Sequence, residues 1–406
     1  VIRMIHSILG ESGFQRGMQL YFERHDGDAV TIDDFVASMA DANDKSFESF
    51  MLWYSQAGTP EVSVEDEYDE NSQTYSATFT QKNQKTPYTI PNQFGLIDKD
   101  GEEVESGLII IDELVKTISF NNIKSRPIPS WFRGFSAPIK FTSDLSIKNK
   151  VYLASSDTDP FNRWDSAQSL WLEYILNPDQ VIEKDLFQMI RNLINNESDY
   201  SLLSEMISLP SEQIIHQNVG KIDVLEVHNQ RNQSILSVAK AFKVEFLELY
   251  HKLNTSKAFD LSTQSIGERA LKNKCLSYLS KIGEYDIAYQ QFNNAECMTD
   301  QFGALQCLLD SETPYRAEAI NNFYQQHHSD VQVMDKWFSA QCIASASSVG
   351  DVRSLMKHEL FSMTNPNRIR SVIGSFSQNG IQFHCEEGYR LLTEIIIELD
   401  HLNPQI

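Results

Sequence analysis

Two arginines, two positions apart in Thr364-Asn-Pro-Asn-Arg-Ile-Arg370, are the side chains in this sequence best suited to chemistry. A guanidinium grips a carboxylate through two parallel hydrogen bonds, so an Arg on a cavity wall reads as a clamp for a substrate carboxylate. Asn365-Pro366 has the composition of a helix start, and Arg368 and Arg370 then point to different faces, so at most one of them faces a given cavity. The plainer role for either is an ion pair between or within helices, and the residues alone leave that open. Other polar clusters carry less. His358-Glu359 is followed by Leu360, Phe361 and Ser362, so the second histidine of an HExxH zinc motif is missing and the pair is expected at the surface. His384-Cys385-Glu386 lacks a third group to orient a thiol and an imidazole, and adjacent residues on one backbone rarely bond productively. His327-His328 has no carboxylate or thiol at ligand spacing and reads as a solvated turn. Asp26, Asp28, Asp33 and Asp34 lack the order and terminal Glu of a calcium loop; they suit a helix start, where the macrodipole favours acids.

These side chains must be positioned by elements that the apolar pattern predicts. Val1, Met4, Ile5, Ile8 and Leu9 form one helical stripe, and Phe14, Met18, Tyr21 and Phe22 form another after a break at Gly10/Gly13. Thr31 opens a third (Ile32, Phe35, Val36, Met39) with Asp34 at capping-box spacing, and Ser46 opens a fourth (Phe47, Phe50, Met51, Tyr54). Four stripes in about fifty-five residues need further partners to be buried. After Gly58-Thr59-Pro60 the pattern alternates: Val62/Val64, then Tyr75, Ala77 and Phe79, a turn at Asp98 to Gly101, Leu108 to Ile111, and Ile118/Phe120. With Pro127, Pro129 and Pro138 marking the way out, residues 58–142 read as a small antiparallel β-sandwich. From Asp159-Pro160, an N-cap followed by Pro at the first helical position, the chain reads as helical to its end. The stripes there include Ile235 to Leu253, Ile266 to Ile282, Met334 to Ile343 and Gly388 to Leu399, separated by short polar breaks that imply antiparallel neighbours. Met334, Trp337 and Phe338, and likewise Phe161, Trp164 and Trp171, sit at core spacing. No fixed-period repeat is visible, so the array is degenerate rather than a consensus solenoid.

VIRMIHSILG, FQRGMQLYFERHDGDAVTIDDFV and WYSQAGTPEV closely resemble the end of the catalytic domain of bacterial aminopeptidase N, a zinc exopeptidase family of the gluzincin type. The resemblance continues through GFSAPIKF (Gly134 to Phe141), FNRWDSAQSL (Phe161 to Leu170), VMDKWF (Val333 to Phe338) and TNPNRIRSVIGSF (Thr364 to Phe376), and so spans the chain. It implies a mostly α fold with a small β-sandwich. Residues 1–57 would be a helical remnant of the thermolysin-like catalytic domain, 58–142 the β-sandwich, and 143–406 an α-helical superhelix truncated at its C-terminal end. In the family a zinc ion is held by the two His of HExxH and a distant Glu, with the motif's Glu as general base. By resemblance these residues, the motif that binds the substrate amine and the tyrosine that stabilises the tetrahedral intermediate lie upstream of Val1. The expectation is therefore a C-terminal half with no catalytic residue and no metal ligand of its own: zinc belongs to the parent enzyme, and none is expected in this part. The chain would cap and shape the cavity in which the parent releases N-terminal residues from peptides, and would be inactive without the missing N-terminal catalytic portion. Resemblance places Arg370 on the cavity wall, and Gln405 with it; the arginine that the family puts one turn further on is missing. A start inside an uncapped helix without Met, and a stop at Asn403-Pro404-Gln405-Ile406, suggest that both ends are cut. The competing reading is a non-catalytic scaffold whose helical array offers a concave surface to protein partners.

Composition narrows the partners. Lys+Arg 34 against Asp+Glu 56 gives a net charge of −22, which disfavours nucleic acid and anionic membrane because both are bound through basic patches. The five cysteines are odd in number, confined to the last third and without CxxC spacing, a pattern expected of buried thiols in a reducing, cytoplasmic setting. No stretch approaches the roughly eighteen apolar residues of a membrane span.

Overall fold

The computed structural model describes residues 1–177, 180–221, 223–255, 259–311 and 313–402, with the backbone alone at 180 and 181. The chain divides into two compact units, Val1–Leu170 and Trp171–Ile406.

The first unit opens with α1 (Ile2–His25), which Gly10 breaks at φ 68 and ψ 169, a conformation open to glycine and strained for other residues. Two helices either side of a kink are the result, as the two apolar stripes imply. Gly13 and Gly17 are buried where α2 (Ile32–Asp41) crosses α1. Around them Asn43 donates to Gly13 O and Met39 O, both at 2.9 Å. A Cβ on Gly17 would lie 2.2 Å from Met39 Sδ and 3.1 Å from Met39 Cα. Gly17→Ala is therefore expected to cost about 1–3 kcal/mol through overpacking, outweighing the gain in helix propensity; the midpoint of chemical unfolding measures it, and an unchanged or raised midpoint would refute the close approach. The Asp34 carboxylate accepts from the Thr31 N–H at 2.8 Å and the Thr31 hydroxyl at 2.9 Å, closing the start of α2. The fourth stripe folds more tightly than a full helix: a 3-10 turn at Ser49–Met51 runs into a single α turn, α3 (Leu52–Ser55).

Seven strands follow: β1 (Glu61–Asp69), β2 (Thr74–Lys82), β3 (Ile90–Ile97), β4 (Glu103–Ile111), β5 (Val115–Phe120), β6 (Ile128–Ser130) and β7 (Lys140–Ser143). They form sheets of order β5-β2-β1-β7 and β4-β3-β6. Strand pairing is antiparallel except at β1 and β7, which run parallel with Val62 opposite Phe141. Alternation identifies strands but carries no information on the direction of a partner about eighty residues away, so an all-antiparallel sandwich is corrected at this one edge. Pro129 is tolerated because β6 is an edge strand. Between β3 and β4, Asp98 Oδ1 accepts from the N–H of Asp100 and Glu102 at 2.9 and 3.0 Å, and Gly101 takes φ 92. The two sheets and the opening helices share one core, in which Met4, Ile5, Met39 and Phe50 join Tyr75, Phe79, Ile90 and Leu96. That core supplies the partners which four helical stripes could not find among themselves.

Helix returns earlier than Asp159. Ser146 Oγ accepts from the Asn149 N–H at 3.2 Å and starts α4 (Ile147–Ser156), before α5 (Pro160–Leu176), whose first turn is closed by Asp159 Oδ1 accepting from the Asn162 N–H at 2.9 Å. The division between the units falls within α5.

The second unit is a helical array: α6 (Gln180–Asn196), α7 (Tyr200–Met206), α8 (Glu212–His216), α9 (Val224–Ala241), α10 (Lys243–Leu253), α11 (Thr263–Lys281), α12 (Tyr285–Asn294), α13 (Met298–Leu309), α14 (Arg316–His327), α15 (Val331–Ile343), α16 (Val349–Leu355), α17 (Pro366–Ile369) and α18 (Glu386–Leu402). The stripe from Ile235 to Leu253 is two helices rather than one, parted at buried Phe242 (φ −114, ψ 21). No Gly or Pro marks that break. Buried Trp171, Phe246, Tyr278, Phe292, Phe323 and Phe338 line the interior, and the Trp171 indole N–H donates to Met206 O at 2.9 Å. No helix among the described residues is long and apolar enough to cross a membrane.

Candidate functional site

The Thr364–Arg370 stretch becomes a short, heavily fixed helix start. Asn365 Oδ1 accepts from the N–H of Asn367 at 3.0 Å and of Arg368 at 3.3 Å, and Pro366 holds the first helical position, where no N–H is needed. After the single turn of α17 the backbone widens into a π turn, Arg370–Gly374. Such turns are rare and recur at functional sites. Ser371, Val372 and Ile373 are buried, and the segment packs on α15.

The two arginines part company. Arg368 is 4 % exposed: its Nη1 lies 3.0 Å from Asp335 Oδ1, and its Cζ stands 4.8 Å from the centre of the Phe338 ring. The contact with Asp335 is ionic without hydrogen-bond alignment, since Arg368 Nε and Nη1 and Asp335 Oδ1 have no hydrogen-bond partner. Arg370 is exposed, and among the described residues its guanidinium makes no ion pair or hydrogen bond. In a chain with a net charge of −22, that leaves a cation presented on a stiff turn with its carboxylate-binding face open. Gln405 lies outside the described residues.

The remaining clusters resolve into structural roles. His358 is half-buried among Tyr324, Trp337 and Phe338, with ring centres 5.3, 5.3 and 5.6 Å away, rather than on the surface, and its neighbour Glu359 accepts from the Tyr324 hydroxyl at 3.0 Å. The aromatics at positions 324, 337 and 338 come from two helices, which is why local spacing hides the packing. His384 Nδ1 meets the Tyr389 hydroxyl at 2.9 Å, while Cys385 Sγ bonds to Gln382 O and the Gly388 N–H, so thiol and imidazole serve separate turns. His327 Nε2 lies 2.9 Å from Gln301 Oε1, and His328 Nδ1 3.2 Å from Gln325 O. Met334, Trp337 and Phe338 are buried, and Phe161 packs against Phe135 at 5.3 Å. Asp335 and the π turn are the parts of this site that the sequence did not disclose: an acid in a helix of mixed composition looks like any solvated acid, and a widened turn leaves no mark in composition.

Residues 1–54 match the model of the peptidase family M1 domain, residues 58–144 that of a domain of unknown function with an Ig-like fold (DUF3458), and residues 148–406 that of a second domain of unknown function made of ARM repeats (DUF3458_C). Aminopeptidase N of Escherichia coli strain K12 is 35 % identical over 440 aligned residues, covering 100 % of this chain and 50 % of that protein, and aminopeptidase N of Haemophilus influenzae is 33 % identical with the same coverage. The ARM-repeat model spans more than half of the chain, so the chain belongs to the DUF3458_C family, and along its whole length it is similar to part of aminopeptidase N. A solved relative supports this: the crystal structure of Legionella pneumophila aminopeptidase A in complex with aspartic acid has 29 % identity and a TM-score of 0.92 over 99 % of this chain and 50 % of that one. The chain spans about half the length of the aminopeptidase N relatives it matches. Zinc, which the aminopeptidase N resemblance implies for the parent, does not fit the residues present, because no HExxH occurs and no group of three or more His, Cys, Asp or Glu among the described residues is placed to hold a metal ion.

Proposed function

We propose that this chain is the C-terminal portion of a cytoplasmic zinc metallo-aminopeptidase that releases N-terminal amino acids from peptides, with the zinc-binding and catalytic residues in a preceding portion. On this reading residues 1–57 complete the catalytic domain, residues 58–142 form a spacer sandwich, and the helical array from residue 143 caps and shapes the substrate cavity, so the chain has no activity alone. The observation that carries the cavity role is Arg370: an exposed guanidinium, without an ionic partner among the described residues, held on a π turn. Its chemistry suits the carboxylate at the C-terminal end of a short peptide. The cytoplasmic placement is supported by five free cysteines.

In the full-length natural polypeptide, Arg370→Ala is expected to raise KM about tenfold for peptides with a free C-terminal carboxylate, equivalent to about 1.4 kcal/mol of binding. KM for the same peptides carrying a C-terminal amide should move far less. Equal changes for both substrate sets would remove Arg370 from the cavity role.

A further inference from the structure

Arg368 and Arg370 are separated by one residue, yet one is locked inside the array and the other stands free in solvent. The backbone between and after them explains the difference. In a regular helix each residue turns by about 100°, so three consecutive residues sweep roughly 200° and cannot all face one neighbour. Ser371, Val372 and Ile373 are all buried because the π turn meets more than one neighbour, contacting both α15 and α16, and Arg370, the residue that opens the turn, is exposed. A π turn departs from the regular i to i+4 hydrogen bonding of an α-helix, and here contacts on either side hold it in place.

What holds it is visible on both sides. Beyond the turn, Ser375 Oγ meets Ser339 Oγ of α15 at 2.7 Å, and Phe376 is buried. Within it, the Ser371 hydroxyl donates to Arg368 O at 2.9 Å. Before it, Arg368 is clamped to α15 twice, to Asp335 by charge and to Phe338 by stacking. Stability alone does not call for a buried guanidinium, since well-packed apolar residues commonly serve as well or better. A guanidinium adds a fixed direction: Asp335 and Phe338, three residues apart on α15, set the rotation of α17 about its own axis and so the direction in which the next turn of backbone emerges.

We infer that Arg368 and Asp335 are positioning residues for Arg370, acting through the π turn Arg370–Gly374. The inference rests on the reading of Arg370 as a substrate-facing cation. Because the Arg368–Asp335 contact is ionic rather than hydrogen-bond aligned, the isosteric change Asp335→Asn removes the clamp while leaving the shape of the core.

The experiment compares Arg370→Ala, Asp335→Asn and Arg368→Lys in the full-length natural polypeptide, measuring the ratio of KM for amidated to carboxylate-bearing forms of one peptide. Asp335→Asn is expected to lower that ratio about three- to tenfold, in the same direction as Arg370→Ala. Arg368→Lys, which keeps the charge and loses the planar stacking fork, should lower it to a smaller extent, and it decides the matter if Asp335→Asn does not fold. A ratio that falls in Arg370→Ala and stays at the parent value in the other two would overturn the positioning role while leaving Arg370 in the cavity. Loss of rate on both peptide forms alike in Asp335→Asn and Arg368→Lys would mark the pair as purely structural and also overturn it. A parent-like ratio in Arg370→Ala would sink both readings together.

Discussion

Arg133→Met is expected to destabilise the first unit by about 3–5 kcal/mol, the range for breaking a buried ion pair and leaving its partner uncompensated. Arg133 is 8 % exposed and lies between two carboxylates, with Nη2 2.8 Å from Asp157 Oδ1, Nη1 against Glu103 and Nε donating to Ser130 Oγ at 3.0 Å. It has no room to relocate, because the backbone of Gly95 sits against the guanidinium: a Cβ there would be 2.1 Å from Arg133 Cζ. The Asp157 side chain is fully buried. Burial pushes its carboxyl above the usual range, opposed by the Asp159 N–H, the Ser130 hydroxyl and Arg133. Removing Arg133 takes away one of the groups that hold the carboxylate ionised. An acid whose folded pKa is raised binds its proton more tightly when folded, so its ionisation is a loss of stability that grows as pH rises and shrinks as pH falls. The deficit of Arg133→Met relative to the parent should therefore narrow as pH falls from neutral, and adding Asp157→Asn should recover a large part of it at neutral pH. Equilibrium unfolding in denaturant measures all three. A single-variant cost below about 1 kcal/mol, the level of an exposed pair, would contradict the account of this node.

Lys272→Met in the second unit is expected to cost a similar amount, about 3–5 kcal/mol, and to lower the unfolding midpoint by roughly 10 °C. The Lys272 side chain is 8 % exposed, and its Nζ lies 2.7 Å from Asp300 Oδ2 and 3.4 Å from Asn254 Oδ1. The pair joins α11 to α13, and Asn273, one residue on, donates to Asp300 Oδ1 at 3.0 Å. Gln291 of α12 ties in through Nε2, which donates to Asn273 Oδ1 at 2.7 Å and Asp300 O at 2.9 Å. α11 thus reaches the Asp300 carboxylate, and α12 reaches the same residue through its main-chain carbonyl, so three helices meet at Asp300. Methionine fills the volume of the lysine stem and strips out only the charge, so a large loss reports the stranded acid rather than a cavity. Asp300→Asn combined with Lys272→Met should be markedly less costly than Lys272→Met alone. A thermal scan of both variants checks it, and additive losses would show that the two groups act independently.

The fold was largely legible in the sequence where a residue type has only one physical use. Gly10 breaks α1 because its φ of 68 suits glycine, Asp34 caps α2 because a carboxylate three residues into a helix can reach back to its first N–H, and Tyr75, Ala77 and Phe79 alternate because their strand has a core on one face only. Where the determinant was a distant partner, the signal was lost. β7 joins β1 in parallel, and the break between α9 and α10 falls at buried Phe242, with no helix-breaking residue to mark it. α4 escaped notice because Ser146 opens it with little apolar periodicity behind it, its buried residues being Leu153 and Ala154. The candidate site followed the same rule. The helix start at Asn365-Pro366 and the opposed arginines follow from local chemistry, whereas the partner of Arg368 and the widened turn under Arg370 depend on α15, some thirty residues earlier in the chain.

The measurement that bears most directly on the account is chelator-sensitive release of an aminoacyl reporter by two purified proteins, each supplied with zinc: this chain alone and the full-length natural polypeptide that contains it. The account predicts zinc-dependent hydrolysis by the full-length protein, abolished by chelation, and none by the chain of residues 1–406. Chelator-sensitive hydrolysis by the chain alone would contradict it, because the catalytic residues would then have to lie among those described here as core, cap and cavity wall.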